Sequence, residues 1–228
     1  MIKETNIGGR TCRFFGSDKP QRLLIQLSAR HENPNLEKEA RILCDLCPTP
    51  FLLVAIELED WMTELMPWPD SNMSRDPMAG KRAPQTLDYI LNILLPKLEE
   101  EYGPYITNPQ NTILGGYSLG GLFSLWASTQ TDRFLCIAAA SPSVWIKDWN
   151  HFSKAYLPMA KRIYLSLGDR EEHVKNQAIS RVGDCLRDFF RLLKETLPET
   201  DCTLFTESGN HFTDNPARLA RAFSWCMI

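Results

Sequence analysis

One serine stands in a setting that could make its hydroxyl group a nucleophile. Ser118 lies in the stretch "GGYSLGG", with Gly116 and Gly120 two positions away on either side. A hydroxyl attacks only when a base takes its proton and the substrate can reach it, and a GxSxG turn between a strand and a helix gives that access. The backbone N–H of Leu119 would then face a developing oxyanion at the start of the helix.

The alternative for the same stretch is a glycine-rich connection between a strand and a helix, including one that holds a phosphate. The glycine spacing differs from the dinucleotide fingerprint GxGxxG, and the chain contains no GxxxxGK[ST] sequence. GxSxG alone leaves both interpretations open, so a base and an acid have to decide between them.

The base would be a histidine, and His211 has the most suitable position. It lies in "ESGNHFTDNP", after the last predicted strand and before the last predicted helix, where a GxSxG hydrolase carries its base. Capping of the helix that begins near Asn215 is the alternative role. The three other histidines are His31, His151 and His173.

The acid should follow the serine and precede the histidine, at the end of a strand. "YLSLGDREEH" offers Asp169, Glu171 and Glu172 there. Glu171 is favoured because it follows Gly168 by three residues, which leaves room for the chain to turn back towards the histidine. The order serine, acid, histidine also differs from the orders in chymotrypsin and subtilisin.

The elements that must position these groups alternate between short apolar runs and helical patterns. This alternation predicts an α/β fold, with a mainly parallel sheet and helices on both faces. The 228 residues suit a single domain. Predicted strands cover 22–28, 51–58, 112–118, 134–141, 162–168 and 201–208, and predicted helices include 86–103, which Pro96 would kink, and one that leaves the Ser118 turn.

Residues 59–84 form the one long irregular stretch in this prediction. Long loops in compact domains are usually functional or disordered, and the tryptophans and methionines here argue against disorder. We therefore expect a lid or pocket wall, with Trp61 and Trp68 as substrate-binding residues. Other candidate walls of the pocket are Met62, Met66 and Trp145.

Composition narrows the class of partner. The net charge is −3 with no long run of either sign, so a small-molecule substrate is expected rather than nucleic acid or a membrane. The first residues lack the features of a signal peptide, which predicts a soluble, cytoplasmic protein. The seven cysteines are expected to be reduced thiols, including the CxxC pair of Cys44 and Cys47. No metal or other cofactor is expected, and the oligomeric state stays open.

The chain resembles the putative-esterase branch of the α/β-hydrolases, which includes esterase D and enterochelin-type esterases. The resemblance rests on "GGYSLGG", "SLGDREE", "GNHF" and "AIELEDWMTELMPWP", and it covers about residues 20–226. It implies a serine esterase in which Ser118 is the nucleophile, His211 the general base and then acid, and Glu171 the orienting acid.

The same resemblance implies an oxyanion hole built from two backbone donors. One donor is the N–H of Leu119, and the second lies after the first core strand, near Ala29 or Arg30. Relatives commonly carry His-Gly there, whereas this chain reads "QLSARHE". The same triad could also serve a thioesterase or an acyltransferase, and an inactive binding or scaffold protein is the alternative outside catalysis.

Overall fold

Eight strands form one sheet in the part of the chain that the computed structural model describes, residues 2–29 and 33–228, without the side chains of residues 33 and 34. The strand order is β1-β2-β4-β3-β5-β6-β7-β8. β1 and β2 pair antiparallel, as do β2 and β4, and every other neighbouring pair is parallel. The strands are β1 (Lys3–Ile7), β2 (Arg10–Gly16), β3 (Arg22–Ala29), β4 (Phe51–Leu58), β5 (Thr112–Tyr117), β6 (Cys136–Ala140), β7 (Arg162–Gly168) and β8 (Asp201–Glu207).

Helices cover both faces of the sheet, which confirms the predicted α/β architecture. The side chains of a strand alternate between the two faces, so Leu23 and Ile25 of β3 join one apolar core and Leu24 joins the other. The helices are α1 (Asn33–Leu46), α2 (Trp61–Leu65), α3 (Ala83–Tyr89), α4 (Leu95–Tyr102), α5 (Leu119–Ala127), α6 (Trp149–Ala155), α7 (Val182–Thr196) and α8 (Asn215–Met227). Helices α1 and α8 pack on one face, and α3, α4, α5 and α7 pack on the other.

The predicted helix over 86–103 is longer and less regular than expected. It begins at Ala83, continues as a π-helical segment, Ile90–Leu94, and ends at Tyr102. In this segment the N–H of Leu95 donates to the carbonyl of Ile90, one residue further back than in an α-helix. Pro96 follows directly and has no N–H to donate. The π-helical segment therefore lies where an α-helix would in any case lack one backbone hydrogen bond.

The N-terminal hairpin of β1 and β2 was not predicted. Its turn uses Gly8 and Gly9, both with positive φ (56° and 89°), and β2 then pairs along β4 from Cys12 opposite Ile56. The strands have few buried side chains, so their apolar pattern is weak. The glycine pair between two short runs is the signal that was available.

The segment over 59–84 is partly helical and is fixed to the rest of the fold. Asp60 caps α2 by accepting a hydrogen bond from the N–H of Thr63 at 2.8 Å. Asp70 is buried and accepts from the N–H of Lys147 at 2.8 Å, while the indole N–H of Trp68 donates to the carbonyl of Lys147 at 2.8 Å. A lid function for this segment stays a prediction.

The cysteine prediction is wrong for two of the seven residues. Cys136 of β6 and Cys226 of α8 form a disulfide, with their Cα atoms 5.7 Å apart. The packing of α8 across β6 brings the two cysteines together, and no local sequence pattern predicts this contact. Cys44 is exposed and Cys47 is buried, and both are free thiols. None of the helices in the described ranges is long and apolar enough to cross a membrane.

Candidate active site

Ser118 occupies a strained turn between β5 and α5. Its backbone has φ 57° and ψ −116°, outside the regions that non-glycine residues normally adopt. Two backbone hydrogen bonds hold the turn. The N–H of Ser118 donates to the carbonyl of Ala140 at 3.0 Å, and the N–H of Leu122 donates to the carbonyl of Ser118 at 3.0 Å. A Cβ atom on Gly116 would lie 2.6 Å from the carbonyl carbon of Gly120, so the turn closes only with glycine there.

His211 lies within hydrogen-bond distance of both other predicted catalytic residues. Its Nε2 is 3.0 Å from Ser118 Oγ, and its Nδ1 is 2.7 Å from Glu171 Oε2. An ionised carboxylate only accepts hydrogen bonds, so the proton of the neutral ring belongs on Nδ1 and Nε2 is free to accept from the serine. The hydroxyl of Tyr117 donates to the His211 carbonyl at 2.9 Å and fixes the backbone of the histidine.

Glu171 is buried and its carboxylate is fully engaged. Oε1 accepts from the N–H of Gly168 at 2.7 Å, from the hydroxyl of Ser141 at 2.7 Å and from the guanidinium of Arg218 at 2.8 Å. Burial raises the pKa of Glu171, but the hydrogen bonds from His211, Ser141 and Gly168 and the charge of His211 outweigh it and leave the pKa below its ordinary value. The acid is therefore held as a carboxylate.

The two competing carboxylates have other partners. Asp169 accepts from the N–H of Gly209 at 2.8 Å, which ties β7 to the loop that carries the histidine. Glu172 forms a two-pronged ion pair with Arg187 at 2.7 and 3.0 Å. Of the three carboxylates that the sequence left open, it is Glu171 that reaches His211.

Arg218 of α8 contacts both Glu171 and the loop before His211, and no pattern in the sequence predicted these contacts. Its side chain is buried, and besides Glu171 it donates to the Tyr117 hydroxyl at 3.0 Å. Its second terminal nitrogen donates to the carbonyls of Ser208 and Asn210 at 2.9 and 3.0 Å. One guanidinium thus holds the acid and the loop before His211. The available signal was an arginine four residues before Ala222, on the apolar face of the last helix.

The start of α5 and the register of β3 with β5 locate two of the three predicted oxyanion donors relative to the serine turn. Leu119 is the first residue of α5, where backbone N–H groups have no partner within the helix. β3 pairs with β5 up to Gln26 opposite Gly115, and Ala29 follows Gln26 by three residues as Ser118 follows Gly115. The end of β3 therefore lies next to the nucleophile turn. Arg30, the other candidate, lies outside the described residues.

A cavity of about 270 Å³ opens beside Ser118 and His211. Its walls are mostly apolar: Trp145, Val174, Ile179, Val182 and Phe212. Ser141, Ser143, Glu171 and Asn210 complete the lining, and the Ser143 hydroxyl lies 3.2 Å from Ser118 Oγ. The Phe212 side chain is 85 % exposed.

The structure places the two predicted substrate-binding tryptophans outside this lining. Trp68 stacks on Trp149, with ring centroids 6.4 Å apart, and it also packs against Phe152. Trp61 lies over the start of α5, with its ring 3.5 Å from the position of a Cβ atom on Gly120. Trp145, named only as a further candidate wall, does line the cavity. Among the described residues there is no group of three side chains suited to hold a metal ion.

Comparisons with known proteins agree with this architecture. The family model described as "Putative esterase" matches residues 53–213. The uncharacterized protein YbbA of Bacillus subtilis (strain 168) is 32% identical over 135 residues, which are 57% of this chain and 53% of that protein. The chain therefore aligns with about half the length of that relative.

Two solved structures share the fold at low sequence identity. The siderophore hydrolase EstB from Aspergillus nidulans is 18% identical, with a TM-score of 0.74 over 98% of this chain and 93% of that one. An IroE-like serine hydrolase from Shewanella oneidensis is 14% identical, with a TM-score of 0.77 over 99% of this chain and 79% of that one. These likenesses confirm the α/β-hydrolase fold.

Proposed function

Because this chain belongs to the putative esterase family, we propose that it is a serine esterase that cleaves carboxylic esters of small molecules through an acyl-enzyme on Ser118. The family supports ester hydrolysis. The observation that carries the serine mechanism is the pair of hydrogen bonds at His211, 3.0 Å to Ser118 Oγ and 2.7 Å to Glu171 Oε2. This geometry suits proton transfer from a hydroxyl to an imidazole that a carboxylate orients.

Acylation begins when Ser118 Oγ attacks the ester carbonyl carbon while His211 Nε2 takes the hydroxyl proton. The carbonyl oxygen becomes an oxyanion, which the N–H of Leu119 and a donor at the end of β3 near Ala29 would stabilise. The imidazolium lies against Glu171, whose low pKa keeps it negative. The bond to the alcohol then breaks, and the alcohol leaves with the proton from Nε2.

Deacylation repeats these steps with water. His211 Nε2 takes a proton from the water, its oxygen attacks the acyl carbon, and the second tetrahedral intermediate collapses. Ser118 leaves with the proton from His211, and the carboxylic acid departs. The balance is one ester and one water consumed for one acid and one alcohol. No cofactor is needed for these steps, and a cytoplasmic location stays a prediction.

Hydrolysis of p-nitrophenyl acetate by the wild type and by Ser118→Ala tests the proposal. We expect the substitution to lower turnover by about 10³ to 10⁶, as for other triad nucleophiles. Ser128→Ala is the matched control, because Ser128 lies at the opposite end of α5 and its hydroxyl donates to Leu125 within the same helix. Wild-type turnover in folded Ser118→Ala would end the proposal. Thioester substrates in parallel would distinguish an esterase from a thioesterase.

A further inference from the structure

A second, larger cavity of about 560 Å³ lies next to the one at Ser118, and Trp145 lines both. We propose that Trp145 is the residue that limits the length of the acyl group, and that the substrates carry an apolar acyl group bound in the Ser118 cavity with its far end against the indole ring. This inference rests on the proposed esterase function.

The lining of the smaller cavity argues for an apolar acyl group. Apart from the catalytic residues, its broad walls are the side chains of Trp145, Val174, Ile179, Val182 and Phe212. At about 270 Å³ it falls just below the range of about 300–1,000 Å³ for sites that hold drug-sized ligands. Such a space suits the acyl half of an ester and leaves the alcohol half to lie towards solvent.

The second cavity has a different chemistry. Apolar side chains such as Trp149 and Phe189 form part of its lining, but Lys147, His151, Lys154, Arg181 and three aspartates, all exposed, surround it with polar groups. A hydrocarbon chain gains little from such a surface, because the free energy of transfer depends on removing apolar area from water. In the wild type the acyl group would therefore stop at the indole ring.

The segment that carries Trp145 is held at both ends. The N–H of Ser143 donates to the carbonyl of Ser118 at 3.1 Å, which ties the wall directly to the nucleophile turn. Two residues after Trp145, the backbone of Lys147 donates to Asp70 and accepts from Trp68, each at 2.8 Å. Trp145 itself is half-buried. A ring placed in this way acts as a fixed stop rather than as a mobile flap.

The test is the dependence of kcat/KM on acyl length, measured with p-nitrophenyl esters from acetate to dodecanoate. In the wild type we expect kcat/KM to rise by up to about fourfold for each methylene that the cavity accepts, from about 0.8 kcal/mol per buried methylene. It should then fall once the chain meets Trp145. Trp145→Ala should move the maximum to longer esters by the few methylenes that fit into the space vacated by the indole ring.

Two further variants sharpen the result. Ile179→Trp adds volume to the wall of the same cavity and should move the maximum to shorter esters, so a test remains if Trp145→Ala does not fold. Trp225→Ala is the matched control: this half-buried tryptophan of α8 packs under Arg162, with the guanidinium carbon 4.2 Å from its ring centroid. Its profile should match that of the wild type.

The outcomes separate this inference from the proposed function. If active Trp145→Ala and Ile179→Trp keep the wild-type profile, Trp145 does not set the acyl length, and the esterase proposal still stands. If the wild type prefers esters with charged acyl groups over the apolar series, the assigned acyl class is wrong. If the wild type cleaves no ester of the series and Ser118 does not react with a fluorophosphonate, the proposed function fails and the inference fails with it.

Discussion

Among the residues that the structure describes, Glu171 and Glu64 are each buried against an arginine, and their surroundings differ. Glu171 and Arg218 lie next to His211, the proposed catalytic base, with 2% and 1% of their side chains exposed. Glu64 and Arg10 join α2 to the N-terminal hairpin, with 1% and 15% exposed. Burying two opposite charges costs solvation free energy that offsets much of their mutual attraction, so burial by itself does not show what either pair contributes.

The difference lies in what the second carboxylate oxygen contacts. Glu171 Oε2 faces the imidazole of His211, a group that gains and loses a proton during the proposed reaction. Glu64 Oε1 instead accepts from the backbone N–H groups of Glu59 and Asp60 at 2.9 and 3.0 Å. The same pair of residue types thus serves a reacting group in one place and fixes a loop in the other.

The largest effect should come from removing the negative charge beside the histidine. Glu171→Gln keeps the shape of the side chain but no longer stabilises the imidazolium, and we expect kcat to fall by about 10² to 10⁴. Glu172→Gln is the control, since Glu172 pairs with Arg187 rather than with His211. Equal kcat values for the two variants would show that Glu171 is not the acid.

Loss of the arginine should come next. Arg218→Met leaves Glu171 without its cation and frees the loop carbonyls of Ser208 and Asn210. We expect a fall in kcat of about 100-fold, as for a misplaced catalytic group, with a smaller change in KM. Added guanidinium at a non-denaturing concentration should restore part of the lost kcat if Arg218 positions the acid and histidine. An equal gain in Arg10→Met would contradict that role.

The Arg10–Glu64 pair should affect the stability of the fold and leave catalysis intact. Arg10→Met leaves the buried carboxylate of Glu64 without its cation, so we expect the free energy of unfolding to fall by about 3–5 kcal/mol. Urea denaturation measures this loss. kcat per folded molecule should stay within about twofold of the wild type, because Glu64 binds the backbone N–H groups of Glu59 and Asp60 rather than His211. A kcat loss as large as that of Arg218→Met would abolish the distinction.

Acidification should reduce the difference in free energy of unfolding between the wild type and Glu171→Gln. The native pKa of Glu171 lies below its ordinary value of 4.5, so its carboxylate stabilises the fold fully above that pH. This contribution is lost as the pH falls through the native pKa. The difference in free energy of unfolding between the two proteins should therefore shrink below about pH 4.5. If this difference in free energy of unfolding widened on acidification, the native pKa of Glu171 would be raised rather than lowered.

The smallest effect belongs to an ion pair near the surface. Arg187 is 49% exposed where it meets Glu172, and exposed pairs contribute about 0–1 kcal/mol. Arg187→Ala should change the urea midpoint little and leave kcat as it was. If Arg187→Ala lowered the free energy of unfolding as much as Arg10→Met, solvent exposure would not explain the difference between the two ion pairs.

The parts of the site with a local signature were predictable from the sequence. Ser118 has flanking glycines between a strand and a helix, and Glu171 and His211 each follow a strand, so their order and positions indicated a shared edge of the sheet. The eight-stranded fold followed from the same alternation, except for the hairpin around Gly8 and Gly9, whose strands are too exposed to show a clear apolar pattern.

Residues whose contacts depend on tertiary packing were not predictable in this way. Arg218 reaches Glu171 from 47 positions away through the packing of α8, and an arginine in a helix is ordinarily a surface residue. Trp68 and Trp145 are equally large and apolar in the sequence. The backbone between Ser143 and Lys147 decides that Trp145 lines the cavity at Ser118 and that Trp68 packs on Trp149.

The most direct test of the account is the reaction of the intact protein with a fluorophosphonate, followed by mass spectrometry of the protein and its peptides. We expect one adduct per chain, located on Ser118, that is absent from Ser118→Ala and forms far more slowly in His211→Ala. An adduct on another residue, or no adduct in folded wild-type protein, would contradict the assignment of Ser118 as the nucleophile.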